Sequence, residues 1–137
     1  MSGVRAERGL LDTSVAIELT SLDPESLPEE ATISALTLAE LGAGPFAGSD
    51  EAEVALRLGK LRAIEASVES LDFDASCARA YGRIYAATRA IGRKPRGANA
   101  VDLMIAATAL AHELPFYTLN LVDLRGLDGL IEIVDLS

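Results

Sequence analysis

Short apolar runs alternate along this chain with segments of helical period, and this alternation limits the folds open to it. Strands are predicted at 8–12, 31–36, 68–73, 116–119 and 130–136. Helices are predicted at 13–20, 37–43, 49–69, 75–91 and 99–114, with loops at 21–30 and 92–97. Strands that alternate with helices favour a parallel sheet covered on both faces. We therefore expect an α/β protein, a three-layer αβα sandwich around a mostly parallel sheet, and one domain over residues 1–137.

Composition indicates a compartment and argues against several classes of protein. Half of the residues are hydrophobic, and a single cysteine permits no intrachain disulfide, which fits a reducing cytoplasm. The longest apolar stretch, 103–111, is too short to span a bilayer, and the first residues do not resemble a signal peptide. A soluble, cytoplasmic protein that does not enter the membrane is expected.

The charge is unevenly distributed. The net charge of −9 argues against a simple electrostatic nucleic-acid binder. Residues 75–101 nevertheless contain no acid and six of the 12 Lys and Arg residues, three of which, Arg93, Lys94 and Arg96, fall in one loop. On charge alone, a solvated helix surface explains this as well as a binding surface does.

Acidic residues follow the apolar runs, where the carboxyl ends of parallel strands form the usual ligand site. Asp12 follows the first run, and it would also serve as the N-cap of the next helix. Glu40 ends a Thr-x-x-Glu pattern, which a capping box explains equally well. Asp102 lies near the start of a helix that is apolar on nearly every face, where a first-turn acid would favour the helix dipole. Asp123, with Asn120, follows the fourth run, where both are also ordinary turn residues.

Considered together, these residues predict a metal site. They bring oxygen ligands to one edge of the sheet, and carboxylates gathered there repel one another unless a cation is bound. Mg²⁺, or Mn²⁺ in its place, prefers such hard donors and can activate water for displacement at phosphorus. A Walker loop and a Ser-His-Asp set are not apparent in the sequence.

Four motifs in order resemble those of the PIN-domain ribonucleases. They are LLDTS at 10–14, TLAEL at 37–41, DLMIAATA at 102–109 and TLNLVDL at 118–124. None is specific alone, but together they span nearly the whole chain, and the size and last strand resemble the VapC toxins. Leu124 stands where the family usually has Phe, which we interpret as a packing change.

The resemblance implies a function and partners. It implies an endoribonuclease with Asp12, Glu40 and Asp102 as metal-binding acids, Asp123 as the fourth acid and Asn120 beside it. It also implies a homodimer and an antitoxin that inserts a tail near the acidic site. The loop at 92–97 precedes the Asp102 helix, so Arg93, Lys94 and Arg96 are expected to bind RNA phosphates or the antitoxin.

Three other functions compete with this one. A haloacid-dehalogenase-type phosphatase would need a second Asp at position 14, which is Ser14, and a receiver domain would need a Lys after Lys94. A PIN-like module that binds RNA or protein without cutting stays open, although all four acidic positions are filled. Metal-dependent cleavage of RNA separates it from the nuclease.

Overall fold

The computed structural model describes residues 5–44 and 50–137, and its strands and helices alternate as the sequence predicts. The strands are β1 (Arg8–Leu11), β2 (Glu30–Ser34), β3 (Glu69–Leu71), β4 (Phe116–Thr118) and β5 (Ile133–Asp135). The helices are α1 (Thr13–Ala16), α2 (Ala35–Ala43), α3 (Glu51–Ser67), α4 (Ala75–Ala90) and α5 (Gly97–His112). Short 3₁₀ turns lie at Leu19–Ser21, Pro24–Ser26 and Leu121–Leu124.

The strands form one sheet in the order β3-β2-β1-β4-β5, and every strand pair among the described residues is parallel. Side chains of successive strand residues point to opposite faces of a sheet. Leu10 and Phe116 accordingly join the core under α4 and α5, whereas Leu11 and Tyr117 join the core with residues of α1 and α3. The predicted α/β class and three-layer sandwich are confirmed.

Several helix ends differ from the sequence prediction, and the starts of α2 and α5 bear on the site. α1 is shorter than predicted and ends at Ala16 rather than at residue 20. α2 begins at Ala35, because the Ser34 side chain caps it by accepting a hydrogen bond from the Leu36 N–H at 3.0 Å. α5 begins at Gly97, two residues earlier than predicted. The predicted strand at 130–136 shortens to β5, and the predicted helix at 49–69 becomes α3, with Ser49 outside the described residues.

No helix in the described part of the chain is long and apolar enough to cross a membrane.

Gly9 lies in the central strand under the Tyr117 ring, and we expect Gly9→Ala to be destabilising. An added Cβ would overlap the Tyr117 ring and approach Pro28 Cγ to 3.0 Å, so neighbouring groups would have to move. Overpacking of this kind costs about 1–3 kcal/mol in free energy of unfolding, measurable by urea denaturation. Gly59→Ala is the control, because its Cβ meets no atom within 4 Å on α3 and should stabilise the helix by about 0.5–1 kcal/mol. Equal effects of the two changes would contradict this packing argument.

Candidate functional site

The carboxyl ends of three neighbouring strands lead into the segments that carry the candidate acids. Asp12 directly follows β1, Glu40 lies on α2 directly after β2, and Asp123 lies in the turn after β4. α5, which carries Asp102, packs against the same sheet and contacts α2. The topology therefore brings all four segments to one edge of the sheet, as the sequence predicts.

Asp12 is buried, and its side chain does not cap a helix. The residue is 7% exposed and occupies the N-cap position of α1, yet its carboxylate makes no capping hydrogen bond. Instead, Asp12 Oδ2 accepts hydrogen bonds from Thr118 Oγ1 at 2.8 Å and Ser14 Oγ at 3.2 Å. Burial raises the pKa of Asp12, hydrogen bonds from Thr118, Ser14 and the Thr13 backbone partly offset the rise, and the charge of Asp123 adds to it. Asp12 therefore occupies the N-cap position as the alternative expects, but its side chain is held by the two hydroxyls instead of capping α1.

The two hydroxyls that hold Asp12 are themselves oriented by backbone N–H groups. The Asn120 N–H donates to Thr118 Oγ1 at 2.9 Å, and the Leu119 N–H donates to Ser14 Oγ at 3.2 Å. With one lone pair of each oxygen engaged by a backbone donor, each hydroxyl proton points to the carboxylate. Sequence reasoning assigned no role to Thr118 or Ser14, although both lie inside the motifs that carry the resemblance.

Glu40 is held by a hydroxyl of a neighbouring helix. Thr13 Oγ1 donates to Glu40 Oε1 at 2.7 Å, and a second hydrogen bond of 2.9 Å joins the hydroxyls of Thr13 and Thr37. Because Ser34 is the N-cap of α2, Thr37 lies inside the helix and cannot form a capping box with Glu40. That alternative is wrong, and the Glu40 side chain is directed to α1 instead.

Asp102 is the acid that α5 brings to this edge of the sheet. It is half-buried in the second turn of α5, so the first-turn alternative is wrong as well. Burial, followed by the charges of Asp12, Glu40 and Asp123, raises the pKa of Asp102 to about 6. Each of these charges contributes less to the rise than burial does. Since all three contribute, Asp102 is within electrostatic reach of the other three acids.

Asp123 and Asn120 lie in the turn that follows β4. Asp123 is in the 3₁₀ turn Leu121–Leu124, and its N–H donates to the Asn120 carbonyl oxygen at 3.1 Å. The turn alternative is thus correct for the backbone, while the Asp123 charge still acts on both Asp12 and Asp102. The Asn120 side chain is exposed and does not cap the turn.

The chemistry of these donors suits a divalent metal ion. Among the described residues no salt bridge reaches any of the four acids, so their repulsion has no cationic side chain to relieve it. Nor do three His, Cys, Asp or Glu groups of those residues form a ready-made ligand set. Mg²⁺ needs no such set, since it usually takes one or two carboxylates and keeps several water molecules. The residues present therefore fit a hydrated Mg²⁺ or Mn²⁺ ion.

The basic loop between α4 and α5 lies beside this site. Arg93 is half-buried and donates from Nη1 to the Asp123 carbonyl oxygen at 3.4 Å. Lys94 and Arg96 are exposed, whereas Pro95 between them is buried. Arg93 thus links the loop to the Asp123 turn, and the other two cations face solvent.

Comparisons with known proteins identify the family and relatives of the chain. The PIN domain family model matches residues 9–122, which include Asp12, Glu40 and Asp102 and end one residue before Asp123. Ribonuclease VapC5 of Mycobacterium tuberculosis (strain ATCC 25618 / H37Rv) is 36% identical over 124 residues, which are 88% of each chain. The crystal structure of VapBC-5 from M. tuberculosis, a member of the VapBC family of toxin–antitoxin systems, matches with a TM-score of 0.81 and 34% identity over 95% of this chain and 99% of that one. FitAcB from Neisseria gonorrhoeae matches with a TM-score of 0.74 and 27% identity over 92% of this chain and 96% of that one.

Proposed function

Because this chain belongs to the PIN domain family, we propose that it is a metal-dependent endoribonuclease and the toxin of a toxin–antitoxin pair. The observation that carries the proposal is the convergence of the segments bearing Asp12, Glu40, Asp102 and Asp123 on one edge of the sheet. The rise of the Asp102 pKa to about 6, caused by burial and then by the charges of the other three acids, supports it. Acids gathered there repel one another because no salt bridge among the described residues reaches them, and groups with perturbed pKa values concentrate at functional sites. The relative named ribonuclease supports RNA as the substrate.

Different residues of the site would bind the metal ion and orient its ligands. Asp12, Glu40 and Asp102 would hold Mg²⁺, or Mn²⁺ in its place, with Asp123 and Asn120 completing the set. A divalent cation bound there would lower the pKa of a bound water molecule and stabilise the charge that develops around the phosphorus atom. Thr118 and Ser14 donate hydrogen bonds to Oδ2 of Asp12 and so hold the carboxylate in one orientation.

The basic loop supplies the sequence-independent part of RNA binding in this proposal. Lys94 and Arg96 are exposed next to an acidic site, where contacts to phosphate oxygens would offset the repulsion between RNA and the acids. Arg93 anchors the loop to Asp123 and contributes its remaining donors to the same contacts. The cognate antitoxin would compete for these cations.

Arg96→Ala should weaken RNA binding and reduce its salt dependence. Loss of one phosphate contact to single-stranded RNA lowers the slope of log K against log[salt] by about 0.7. The measurement is fluorescence anisotropy of a labelled RNA between about 50 and 200 mM salt, in an Asp102→Asn background that prevents cleavage. Arg62→Ala, an exposed cation on α3, is the matched control and should leave the slope unchanged. An unchanged slope in Arg96→Ala would refute the role of this residue.

Partners and compartment form part of the same proposal. Solved relatives are complexes of toxin and antitoxin, which supports a cognate antitoxin for this chain. We further propose a homodimer that acts in the cytoplasm.

Cleavage of a labelled cellular RNA pool by the purified protein tests the proposed function. With Mg²⁺ or Mn²⁺ we expect discrete fragments, which disappear with EDTA and with Asp12→Ala. Intact RNA under all conditions, from folded protein without antitoxin, would reject the nuclease in favour of a module that binds without cutting.

A further inference from the structure

Thr37 is a buried polar residue whose purpose is not explained by helix formation. Its side chain is fully buried in α2, and its hydroxyl makes one hydrogen bond among the described residues, to Thr13. A buried Thr at a position where Val would fit as well carries a hydroxyl that must be desolvated. The role of the Thr37 hydroxyl must therefore be sought in its hydrogen bond to Thr13.

The hydrogen bonds around Thr13 have only one consistent direction. The Thr13 hydroxyl has one proton, and the Glu40 carboxylate accepts it at 2.7 Å. In the 2.9 Å bond between the two threonines, Thr37 must then be the donor and Thr13 the acceptor. The chain of donation runs from Thr37 through Thr13 to Glu40.

This arrangement repeats the one that holds Asp12, with one difference. Asp12 and Glu40 are each held at one oxygen by hydroxyls whose own oxygens accept a second hydrogen bond. For Asp12 the second donors are backbone N–H groups, which no substitution of a side chain removes. For Glu40 the second donor is the side chain of Thr37, so this position can be tested by mutation.

We propose that Thr37 is a positioning residue for the site, which acts through Thr13 to hold Glu40 in place for metal binding. The proposal rests on the proposed function, because it takes Glu40 to be a metal ligand. Asp102 and Glu40 repel each other, and a glutamate side chain has several rotamers through which it can turn away. An Arg or Lys partner would hold Glu40 as well, but its positive charge would compete with the metal. A polarised hydroxyl holds the carboxylate without adding charge, and chains of hydrogen bonds strengthen one another.

Two substitutions at the same position separate positioning from packing. Thr37→Val keeps the shape of the side chain and removes the hydroxyl, whereas Thr37→Ser keeps the hydroxyl and removes a methyl group. If Thr37 only fills space, Ser is the harmful change; if it positions Glu40, Val is. Thr88→Val is the matched control, because Thr88 is equally buried in a helix but donates only to the Ile84 carbonyl oxygen of its own helix.

The experiment measures Mn²⁺ affinity of the metal-free protein by isothermal titration calorimetry, RNA cleavage, and stability in urea. We expect Thr37→Val to weaken Mn²⁺ binding about 10-fold and to lower kcat by a similar factor with little change in KM for RNA, as expected when a group that orients a ligand is lost. Thr37→Ser should stay within about twofold of wild type in Mn²⁺ affinity, which is rescue by the conservative variant, and Thr88→Val should not change it.

The outcomes that overturn the proposal differ from those that overturn the nuclease. Unchanged Mn²⁺ affinity in Thr37→Val, or an equal loss in Thr37→Ser, rejects the positioning role even if the wild-type protein cuts RNA. Normal Mn²⁺ binding by a wild-type protein that leaves RNA intact rejects the nuclease, and the comparison of Val with Ser still decides the role of Thr37.

Discussion

Asp102→Asn should abolish RNA cleavage and at the same time stabilise the metal-free protein. The substitution removes an oxygen charge from the proposed metal site, and we expect the cleavage rate to fall on the order of 1000-fold or more. It also removes the repulsion from Asp12, Glu40 and Asp123 that, with burial, raises the pKa of Asp102 to about 6. This rise in the pKa of Asp102 corresponds to roughly 3 kcal/mol of lost folding stability at most, and partial exposure to solvent reduces the loss to about 1–2 kcal/mol.

The stabilisation by Asp102→Asn should depend on pH, because it reflects the raised pKa of Asp102. The pKa of Asp102 is higher in the folded protein than the ordinary 3.8, so between pH 4 and 6 the folded state binds more protons at this residue than the unfolded state does. The contribution of Asp102 to the free energy of unfolding therefore falls as pH rises through this window, and the destabilisation is fully present above about pH 6. The stabilisation by Asp102→Asn should be measurable at pH 7.5 and small at pH 4.

Urea denaturation at both pH values, with cleavage assays alongside, checks this prediction. Asp128→Asn is the matched control, because it makes the same chemical change at an exposed turn outside the site. It should leave both stability and cleavage near wild type. Retained cleavage in Asp102→Asn would contradict the assignment of Asp102 to the site, whereas loss of cleavage with loss of stability would contradict the repulsion argument.

Removal of divalent metal should have a comparably large effect on activity and the opposite effect on stability. Excess EDTA should stop cleavage completely, and Mg²⁺ or Mn²⁺ should restore it. A ligand present at 100 times its dissociation constant stabilises the folded state by about 2.7 kcal/mol, which corresponds to an increase of several degrees in Tm. The increase should be larger at pH 7.5 than at pH 5, because below about pH 6 Asp102 must lose a proton before it can bind metal.

Differential scanning calorimetry with and without Mn²⁺ measures this shift. The Asp102→Asn protein is the internal control and should show little increase in Tm. Cleavage that persists in EDTA, together with a Tm that Mn²⁺ does not change, would show that the acids do not hold a metal.

The fold and the candidate acids could be predicted from local features of the sequence. Hydrophobic periodicity and composition are local properties, so they identified the strands and helices in their correct order, with ends that differ by up to four residues, and the α/β class followed from their alternation. The candidate acids could be predicted because the carboxyl ends of parallel strands meet at one edge of the sheet. Residues that follow those ends, such as Asp12, Glu40 and Asp123, are therefore expected to lie near one another. Asp102 was identified because it is a carboxylate in a helix that is apolar on nearly every face.

Alternatives based on local capping motifs were less reliable. Thr37 and Glu40 match a capping box in sequence, but the Ser34 hydroxyl ends β2 and begins α2 three residues earlier. Asp12 stands at an N-cap position without capping, because hydroxyls from other segments satisfy its carboxylate. Local motifs describe one possible partner of a polar group, and the tertiary structure selects among partners that are distant in sequence.

The sequence by itself thus determined the order of strands and helices and the acids at their ends, because both depend on neighbours a few residues apart. Only the tertiary structure decided which hydroxyls hold those acids. Thr118 and Asp12 are 106 positions apart and meet only because β4 pairs with β1 in one register. Thr13 reaches Glu40 only because α1 and α2 leave neighbouring strands side by side. A hydrogen bond requires its atoms to be positioned to within a few tenths of an ångström, and that precision comes from the packed sheet rather than from any short segment.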